Sequence, residues 1–404
     1  MNAVPLLKSA LQTPAPIEKA AKPQPGRAPL TAFLLDGQSE AALNICLSKL
    51  AISNATIKRG GIAKAIKYLS IERSPENIII DISGAEMPAS QMYELAALCE
   101  PGVTVVAVGD RNDIGLYRDL MRAGVSEYLV KPVTAQLLAK TLSSTHGGGE
   151  AGSISRKLGK MVATVGARGG VGTTTLAVSL AWHLANRQNR RVLLLDLDLQ
   201  TGDCALALNL EPTPGLREAL TNPARVDNVF LERTMAVHGE RLFVLSAEEP
   251  LRADAAFTAD AVETLIGVLR SQFHYVIADV PRIPAAPFRR ALDVADIRVI
   301  VADQTLRSVR DTVRLRDAFA QSDDARRDLL VINRSGESGR FGTTLAEMAK
   351  IRLQPEFVIP FRPKHVAASG SARNPAFIGA IEALAAEISG RMPERGRWWR
   401  VGWR

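Results

Sequence analysis

A glycine-rich segment carries the residues best suited to hold a phosphate group. It reads Ala167-Arg-Gly-Gly-Val-Gly-Thr-Thr-Thr175, follows an apolar stretch and precedes leucines spaced four residues apart. Glycines let the backbone wrap closely around phosphate oxygens, and the first turn of a helix supplies N–H donors and partial positive charge. We predict a phosphate-binding loop between a strand and a helix; the alternative is a purely structural glycine-rich turn. The binding residues would be Gly169, Gly170, Val171, Gly172, Thr173, Thr174 and Thr175.

Three aspartates follow apolar runs, at the points where parallel strands would end. Asp196 and Asp198 close one run, and Asp279 closes another. The carboxyl ends of parallel strands meet at one edge of a sheet, where ligands bind. Carboxylate oxygens and a threonine hydroxyl are ligands that Mg²⁺ accepts. The sequence therefore predicts a Mg²⁺ site formed by Thr174, Asp196 and Asp279.

Two α/β domains are expected to position these residues, because apolar strand candidates alternate with amphipathic helix candidates along the chain. Residues 29–143 would form a small domain and residues 159–390 a larger one, each with a parallel sheet covered by helices. The glycine-rich stretch 144–158 would link them. Residues 1–28 contain five prolines and are interpreted as a disordered leader, and residues 391–404 form a basic tail.

Short apolar runs predict the individual strands. In the small domain they begin at Ala32, Asn77, Val103 and Glu127, with helices expected at 39–52, 90–99, 113–123 and 134–143. In the larger domain, strands are expected at 161–165, 192–197, 242–245, 275–279, 298–302, 329–333 and 357–359.

The composition excludes several classes of protein. The chain has 404 residues but only three cysteines and five scattered histidines, so neither a disulfide scaffold nor a histidine-built metal site is expected. No apolar run reaches the length of a membrane helix and no signal-peptide core is present, which favours a cytoplasmic location. The net charge of +8 suits an acidic partner without choosing between nucleic acid, an anionic membrane and an acidic protein.

Four segments resemble the deviant Walker A ATPases of the MinD/ParA type. Within that group they are similar to the CpaE/TadZ branch, the ATPases of Tad (Flp) pilus assembly and localisation. The segments are ARGGVGTTT at 167–175, DLDLQTGD at 196–203, ADQTLRSVRDTVRL at 302–315 and IPFRPK at 359–364. The resemblance implies a P-loop NTPase domain of MinD/ParA type, preceded by a receiver-like, flavodoxin-like doubly wound domain.

The loop departs from the family pattern at three positions. Ala167 replaces the first glycine, and a methyl group there could conflict with a glycine-only backbone angle. Arg168 replaces the signature lysine but keeps the charge that, in the family, reaches the nucleotide of the partner subunit. Thr173 replaces the phosphate-binding lysine. A hydrogen bond to a charged group contributes about 1.5–3 kcal/mol, so nucleotide binding and especially hydrolysis should be weakened.

The resemblance implies ATP and Mg²⁺ as cofactors and a nucleotide-sandwich homodimer with slow or absent hydrolysis. Asp198 would orient the attacking water and Arg168 would act across the dimer, while Asn333 and Pro360 would contact the adenine base. An asparagine at a strand end is equally often a turn former. The implied partners are pilus or secretion assembly proteins, including a secretion ATPase, at the inner face of the cell membrane or a cell pole.

The small domain resembles a response-regulator receiver that has lost part of its site. Asp81 matches the phosphoacceptor and Lys131 the invariant lysine, but the acidic pair is reduced to Asp36 and Gly109 stands in place of the hydroxyl residue. Mg²⁺ needs several oxygen ligands. We therefore favour a docking and dimerisation module with a relic site over a phosphorylation switch.

The sequence leaves open both the role of the tail and the choice between three functions. Three tryptophans and five arginines in residues 391–404 suit peripheral membrane contact or a partner groove, and also packing onto the protein's own surface. An actively cycling MinD/ParA-type positioning ATPase is the alternative to an assembly factor. The basic charge would allow such a motor to bind DNA, although no helix-turn-helix signature is present. A response regulator is the third hypothesis.

Overall fold

A computed structural model describes residues 27–146, 158–252, 257–320, 326–337, 342–361 and 375–390, and all statements below concern these ranges. They contain two sheets, one of five strands and one of eight. The predicted leader up to residue 26, the linker at 147–157 and the tail at 391–404 lie outside the described residues. No helix in the described ranges is both long and apolar enough to cross a membrane.

The first domain is a doubly wound parallel sheet with strand order β2-β1-β3-β4-β5. This order is the flavodoxin-like arrangement, so the predicted fold is confirmed. Its core lies on both faces of the sheet, with Phe33 and Ile80 on one face and Leu34 and Ile79 on the other. Its elements are β1 (Leu30–Leu34), α1 (Gly37–Lys49), β2 (Thr56–Arg59), α2 (Ile62–Leu69), β3 (Asn77–Asp81), α3 (Pro88–Leu98), β4 (Thr104–Gly109), α4 (Ile114–Arg122), β5 (Glu127–Val130) and α5 (Ala135–His146).

The second domain has the strand order β13-β12-β11-β6-β10-β7-β9-β8. All neighbours are parallel except β8 and β9, which pair antiparallel at one edge. Its strands are β6 (Lys160–Gly166), β7 (Val192–Asp196), β8 (Ala236–His238), β9 (Leu242–Leu245), β10 (Tyr275–Val280), β11 (Ile297–Ala302), β12 (Arg327–Ser335) and β13 (Phe357–Pro360). Its helices are α6 (Thr173–Asn186), α7 (Cys204–Ala207), α8 (Gly215–Thr221), α9 (Asn228–Thr234), α10 (Ala259–Arg270), α11 (Ala286–Asp293), α12 (Leu306–Ala320), α13 (Leu345–Lys350) and α14 (Pro375–Ser389).

The central strands of this sheet are apolar on both faces, which is why their sequences read as continuous runs rather than alternating patterns. In β7, Leu193 and Leu195 enter one core cluster while Val192 and Leu194 enter the other. Helices cover both faces and leave only the ends of the strands for polar chemistry. Asp196 is the last residue of β7 and stands at such an end.

The elements differ from the sequence expectations mainly at the sheet edges. The predicted strands are present to within a few residues, but β2, β8 and α2 were not anticipated, and no bounds were predicted for the helices of the larger domain. β2 is an edge strand whose residues are half-buried or exposed, so it lacks the apolar run that marks a strand. Helix α5 continues to His146, beyond the predicted domain end at residue 143.

The two domains contact each other through loops at the amino ends of their strands. His274, just before β10, lies 3.1 Å through Nε2 from the carbonyl oxygen of Leu98 in the first domain. Its Nδ1 accepts a hydrogen bond from the backbone N–H of Arg191, so Nε2 carries the donated proton. Glu100 is 4% exposed at this contact and pairs with Arg27 at 2.9 Å. The carboxyl ends of both sheets therefore face away from the contact.

Candidate nucleotide site

The predicted phosphate loop connects β6 to α6 at the carboxyl edge of the larger sheet. Gly172 precedes the helix with φ 91°, and Gly170 has φ 79°. These left-handed angles favour glycine, which explains two of the loop's glycines. Ala167 has no positive φ, and its backbone N–H donates to Val301 at 2.8 Å. The concern about a methyl group at this position is therefore wrong, because the methyl is buried in the core.

Asn333 on β12 fixes this loop in place. Its Nδ2 donates to the carbonyl oxygen of Val171 at 2.8 Å, and its Oδ1 accepts from the N–H of Arg334. A Cβ atom at Gly172 would lie 2.5 Å from the same Nδ2. Asn333 thus has a structural role in holding the loop, besides the predicted contact with adenine. Pro360 ends β13, which is paired with β12 next to Asn333.

Two carboxylates stand on neighbouring strands beside the loop. Asp279 on β10 is directly paired in register with Asp196 on β7. The hydroxyl of Thr174, in the first turn of α6, donates to Asp279 Oδ2 at 2.6 Å. From the other side, Thr164 Oγ1 lies 3.3 Å from Asp279 Oδ1. The three residues predicted to serve Mg²⁺ are therefore together.

The burial of Asp196 and Asp279 side by side favours a bound cation. Burial raises the pKa of Asp196 to about 7, and the charge of Asp279 adds to the effect. Burial likewise raises the pKa of Asp279, against hydrogen bonds from Thr174 and Thr164. Among the described residues, neither carboxylate forms an ion pair with lysine or arginine. Two buried carboxylates and a hydroxyl fit the oxygen ligands of Mg²⁺, whose charge would offset their repulsion.

Asp198 lies beyond the end of β7, in the loop that leads to α7. Its Oδ1 accepts from the N–H of Thr201 at 2.9 Å and its Oδ2 from the hydroxyl of Thr201 at 2.7 Å. Its own N–H donates to Asp196 Oδ1 at 3.1 Å. Both carboxylate oxygens of Asp198 are thus engaged within its own turn.

Sequence reasoning missed Cys204 and Gly202 in this loop. Cys204 is fully buried, and its thiol lies 3.8 Å from Asp279 Oδ2. Its backbone N–H donates to Asp196 Oδ2 at 3.1 Å. A Cβ atom at Gly202 would lie 2.4 Å from Asp196 Oδ2, so only glycine lets the loop close over this carboxylate. The place of Cys204, directly after the aspartate-rich run, was the available signal.

Arg168 is held within its own chain. Its Nη1 lies 2.9 Å from Asp311 Oδ2 on α12, although its side chain remains 35% exposed. Arg310 and Arg282 also pair with Asp311, at 2.8 and 3.5 Å. The hydrogen bond from Arg310 lowers the pKa of Asp311, and the charges of Arg282 and Arg168 add to this. Extending Arg168 toward another chain requires this ion pair to open.

The three residues of the predicted relic site in the first domain also lie together. Lys131 Nζ lies 2.6 Å from both Asp36 Oδ2 and Asp81 Oδ2. The hydrogen bond from Lys131 lowers the pKa of Asp36 to about 2. At Gly109, a Cβ atom would lie 2.5 Å from the Tyr128 hydroxyl, which donates to Arg111 at 2.7 Å. Tyr128 therefore fills the space that a hydroxyl side chain at position 109 would need.

Comparison with known proteins shows which family the larger domain matches. Residues 159–329 match the AAA_31 family, described as an AAA domain. A septum site-determining protein MinD from Synechocystis sp. is 28% identical over 181 residues, which are 44% of this chain. The match covers 65% of that protein's length, just under two thirds. The family match thus lies in the domain that carries the phosphate loop.

One solved structure with a TM-score above 0.5 shares its fold with just over half of this chain. The crystal structure of a ParA family ATPase from Chlorobium tepidum TLS has a TM-score of 0.51 at 21% identity, covering 56% of this chain and 98% of that one. A pilus assembly protein CpaE from Caulobacter crescentus is 31% identical, with a TM-score of 0.27, covering 28% of this chain and 96% of that one. We conclude that residues 159–329 match an AAA domain, and that the chain is similar in sequence to a MinD protein and in fold to a ParA family ATPase.

Proposed function

We propose that this protein is an ATP-binding localisation and assembly factor of the CpaE/TadZ kind, serving a Tad (Flp) pilus or a related secretion apparatus. It would act as a nucleotide-sandwich dimer with slow or absent hydrolysis. The observation that carries the proposal is the hydrogen bond between Thr174 and Asp279, which joins the phosphate loop to the carboxylate pair. This contact unites the donor end of a helix with ligands for Mg²⁺.

Different residues of the site would bind the phosphates and the metal ion of a nucleotide. Backbone N–H groups of Gly169, Gly170 and Gly172 would face the phosphates, and the first turn of α6 would add its partial positive charge. Thr174, Asp196 and Asp279 would hold Mg²⁺, which when bound neutralises phosphate charge. With Asn333 holding Val171, the loop would bind without a large ordering cost.

Slow hydrolysis follows from two side chains. Thr173 offers no positive charge to the phosphates, and charge stabilisation matters most in the transition state. Asp198, the candidate for orienting water, is engaged with Thr201 through both oxygens. Catalysis would require this turn to rearrange as well as a substitute for the missing lysine.

Dimerisation would use Arg168. A guanidinium can bind phosphate through two parallel hydrogen bonds, which suits a contact across two subunits. The ion pair with Asp311 would hold the side chain back in the single chain. Bound nucleotide on a second chain would supply the competing negative charge.

The assignment to pilus assembly rests on the residue runs at 196–203, 302–315 and 359–364 and on the order of the domains. The implied partners are assembly proteins including a secretion ATPase, at the membrane or a cell pole. The filled space at Gly109 supports a docking role for the first domain over a phosphorylation switch. We expect deletion of the gene to abolish surface pili, and a copy carrying Arg168→Ala not to restore them.

Light scattering of the purified protein tests the nucleotide-gated dimer. We expect Mg-ATP to double the molar mass, and Arg168→Ala to abolish the doubling while leaving ATP binding intact. Arg310→Ala is the matched control, because Arg310 also contacts Asp311 but lies outside the loop. A molar mass unaffected by Mg-ATP would refute the sandwich dimer.

A cycling positioning ATPase is the alternative that the MinD relative favours. The assembly factor and the positioning ATPase differ in the expected rate of ATP hydrolysis. A steady-state rate of the order of 1 s⁻¹ or more, abolished by Asp198→Ala, would support the motor and overturn slow hydrolysis. Salt-sensitive binding to DNA would point the same way.

A further inference from the structure

A cysteine occupies the metal end of the candidate nucleotide site. The thiol of Cys204, the first residue of α7, faces the carboxylates of Asp196 and Asp279. One donor atom from each of the three side chains lies within 4.8 Å of the other two, and all three residues are buried. Asp196 is 1% exposed and Cys204 is fully buried.

The backbone fixes this arrangement independently of any ion. Asp196 and Asp279 are register partners on adjacent strands, so their separation is set by the sheet. The N–H of Cys204 binds Asp196 Oδ2 and anchors the start of α7 to the same carboxylate. The close approach at Gly202 brings the loop into this position. The three donors are thus preorganised by β7, β10 and α7.

The spacing agrees with a shared cation. Zinc–sulfur bonds of about 2.3 Å and zinc–oxygen bonds of about 2.1 Å at a tetrahedral angle place the two ligand atoms about 3.6 Å apart. The Cys204 thiol lies 3.8 Å from Asp279 Oδ2. In the described residues no lysine or arginine is paired with either carboxylate.

We propose that Asp196, Cys204 and Asp279 form a three-ligand centre for a thiophilic divalent cation of the zinc class. The fourth position would be open to water or a phosphate oxygen on the side of Thr174, as in zinc sites with three protein ligands. On binding, the thiol proton leaves to the solvent and the sulfur binds as thiolate. The centre needs no nucleotide, so it stands whether or not the proposed ATP binding does.

The thiol decides which metals the centre prefers. Mg²⁺ is a hard cation that takes oxygen ligands, whereas Zn²⁺ and Co²⁺ accept thiolate. Millimolar Mg²⁺ without nucleotide should therefore not displace Zn²⁺ from the centre. The metal that the protein carries would then determine whether Mg-nucleotide can enter the same space.

Co²⁺ absorption spectroscopy of the metal-stripped full-length protein tests the proposal. A cobalt–thiolate bond produces a charge-transfer band in the near ultraviolet, which carboxylate ligands alone do not. We expect the band to saturate at one Co²⁺ per chain and to disappear when Zn²⁺ is added. Cys204→Ser should abolish the band.

The chain supplies its own matched control. Cys46 and Cys99 are the other two cysteines, and both lie in the first domain. The double variant Cys46→Ser/Cys99→Ser should keep the full band, with circular dichroism verifying that each variant is folded. Absence of the band in the wild-type protein, or its persistence in folded Cys204→Ser, would overturn the proposal. Loss of the band only in the Cys46→Ser/Cys99→Ser variant would also overturn it.

Discussion

We expect Thr173 to limit how strongly the loop holds a triphosphate. It is the first residue of α6, where the family pattern places a lysine. We expect Thr173→Lys to tighten Mg-ATP binding about tenfold to a hundredfold, because a charged hydrogen bond to phosphate contributes about 1.5–3 kcal/mol. The hydrolysis rate should rise with it. Calorimetric titration measures the affinity, and a phosphate-release assay measures the rate.

Thr173→Met is the control for this substitution. Methionine gives a long side chain without the charge, so it should leave the affinity close to that of the wild type. Equal gains in the lysine and methionine variants would show that packing rather than charge is responsible.

The pair of Asp196 and Asp279 should make the metal-free protein lose stability as the pH rises from acid to neutral. The pKa of Asp196 is raised from 3.8 to about 7, so its contribution to stability is fully present below pH 3.8 and is lost as the pH rises through about 7. Between pH 5 and 8 this loss amounts to about 2–3 kcal/mol. We expect Asp196→Asn to remove most of that dependence and to abolish Mg-ATP binding.

Urea unfolding in the presence of a chelator, at both pH values, measures this difference. The wild type should lose more free energy of unfolding than Asp196→Asn between pH 5 and 8. Identical pH dependence in the two proteins would show that Asp196 is not perturbed by its neighbours.

At the scale of single residues, the sequence predicts which side chains assemble but not what else joins them. Thr174, Asp196 and Asp279 were identified because strand ends and a glycine-rich loop have recognisable patterns. Cys204 directly follows the aspartate-rich run, but its approach to Asp279 depends on the path of the loop through Gly202. The pairing of Arg168 with Asp311 joins residues 143 positions apart, a contact that local spacing does not encode.

At the scale of elements, the junction between β6 and α6 should distinguish two glycines of the same loop. Gly172 has φ 91° and a Cβ atom would approach Asn333 to 2.5 Å, whereas Gly169 has open space and no positive φ. We expect Gly172→Ala to destabilise the protein by at least about 1–2 kcal/mol, the cost of a left-handed conformation. Gly169→Ala should change stability by less than about 0.5 kcal/mol.

Chemical denaturation of the two alanine variants measures these values. Because only Gly172→Ala displaces the Asn333 contact, it should also weaken nucleotide binding more strongly. Similar losses at both positions would mean that the loop is not held by β12 as described.

The central elements were predictable because parallel strands buried on both faces leave continuous apolar runs, as in β7 and β10. The elements at the sheet edges were not predictable from the sequence. β2 has no residue that is fully buried, and β8 is three half-buried residues whose pairing depends on β9. Their stability comes from a neighbouring strand, so their own sequences carry little signal.

At the scale of the whole molecule, His274 should make the contact between the domains sensitive to acid. Burial lowers its pKa to about 4, with the charge of Arg190 adding to the effect. The unfolded chain then binds more protons between pH 6.5 and 4, so the stabilisation present above pH 6.5 is lost as the pH falls through this window. Between pH 7 and pH 5 the unfolding free energy should fall by about 2 kcal/mol. Protonation would also remove the acceptor for the Arg191 N–H.

His274→Gln tests this prediction. The variant should show a smaller loss of unfolding free energy between pH 7 and 5 than the wild type, measured by urea denaturation. The contact itself was beyond sequence reasoning, because Leu98, Arg191 and His274 come from three distant segments. No local pattern marks the surface through which two domains meet.

Calorimetric titration of Mg-ATP into the metal-stripped protein shows whether the loop binds nucleotide without its lysine. We expect saturable binding in the micromolar range that Asp279→Ala abolishes, because this carboxylate joins Thr174 to the metal ligands. Absence of binding up to millimolar Mg-ATP, in a wild-type protein shown to be folded, would contradict nucleotide binding at this loop. The AAA domain would then act as a scaffold that retains the shape of an ATPase without its ligand.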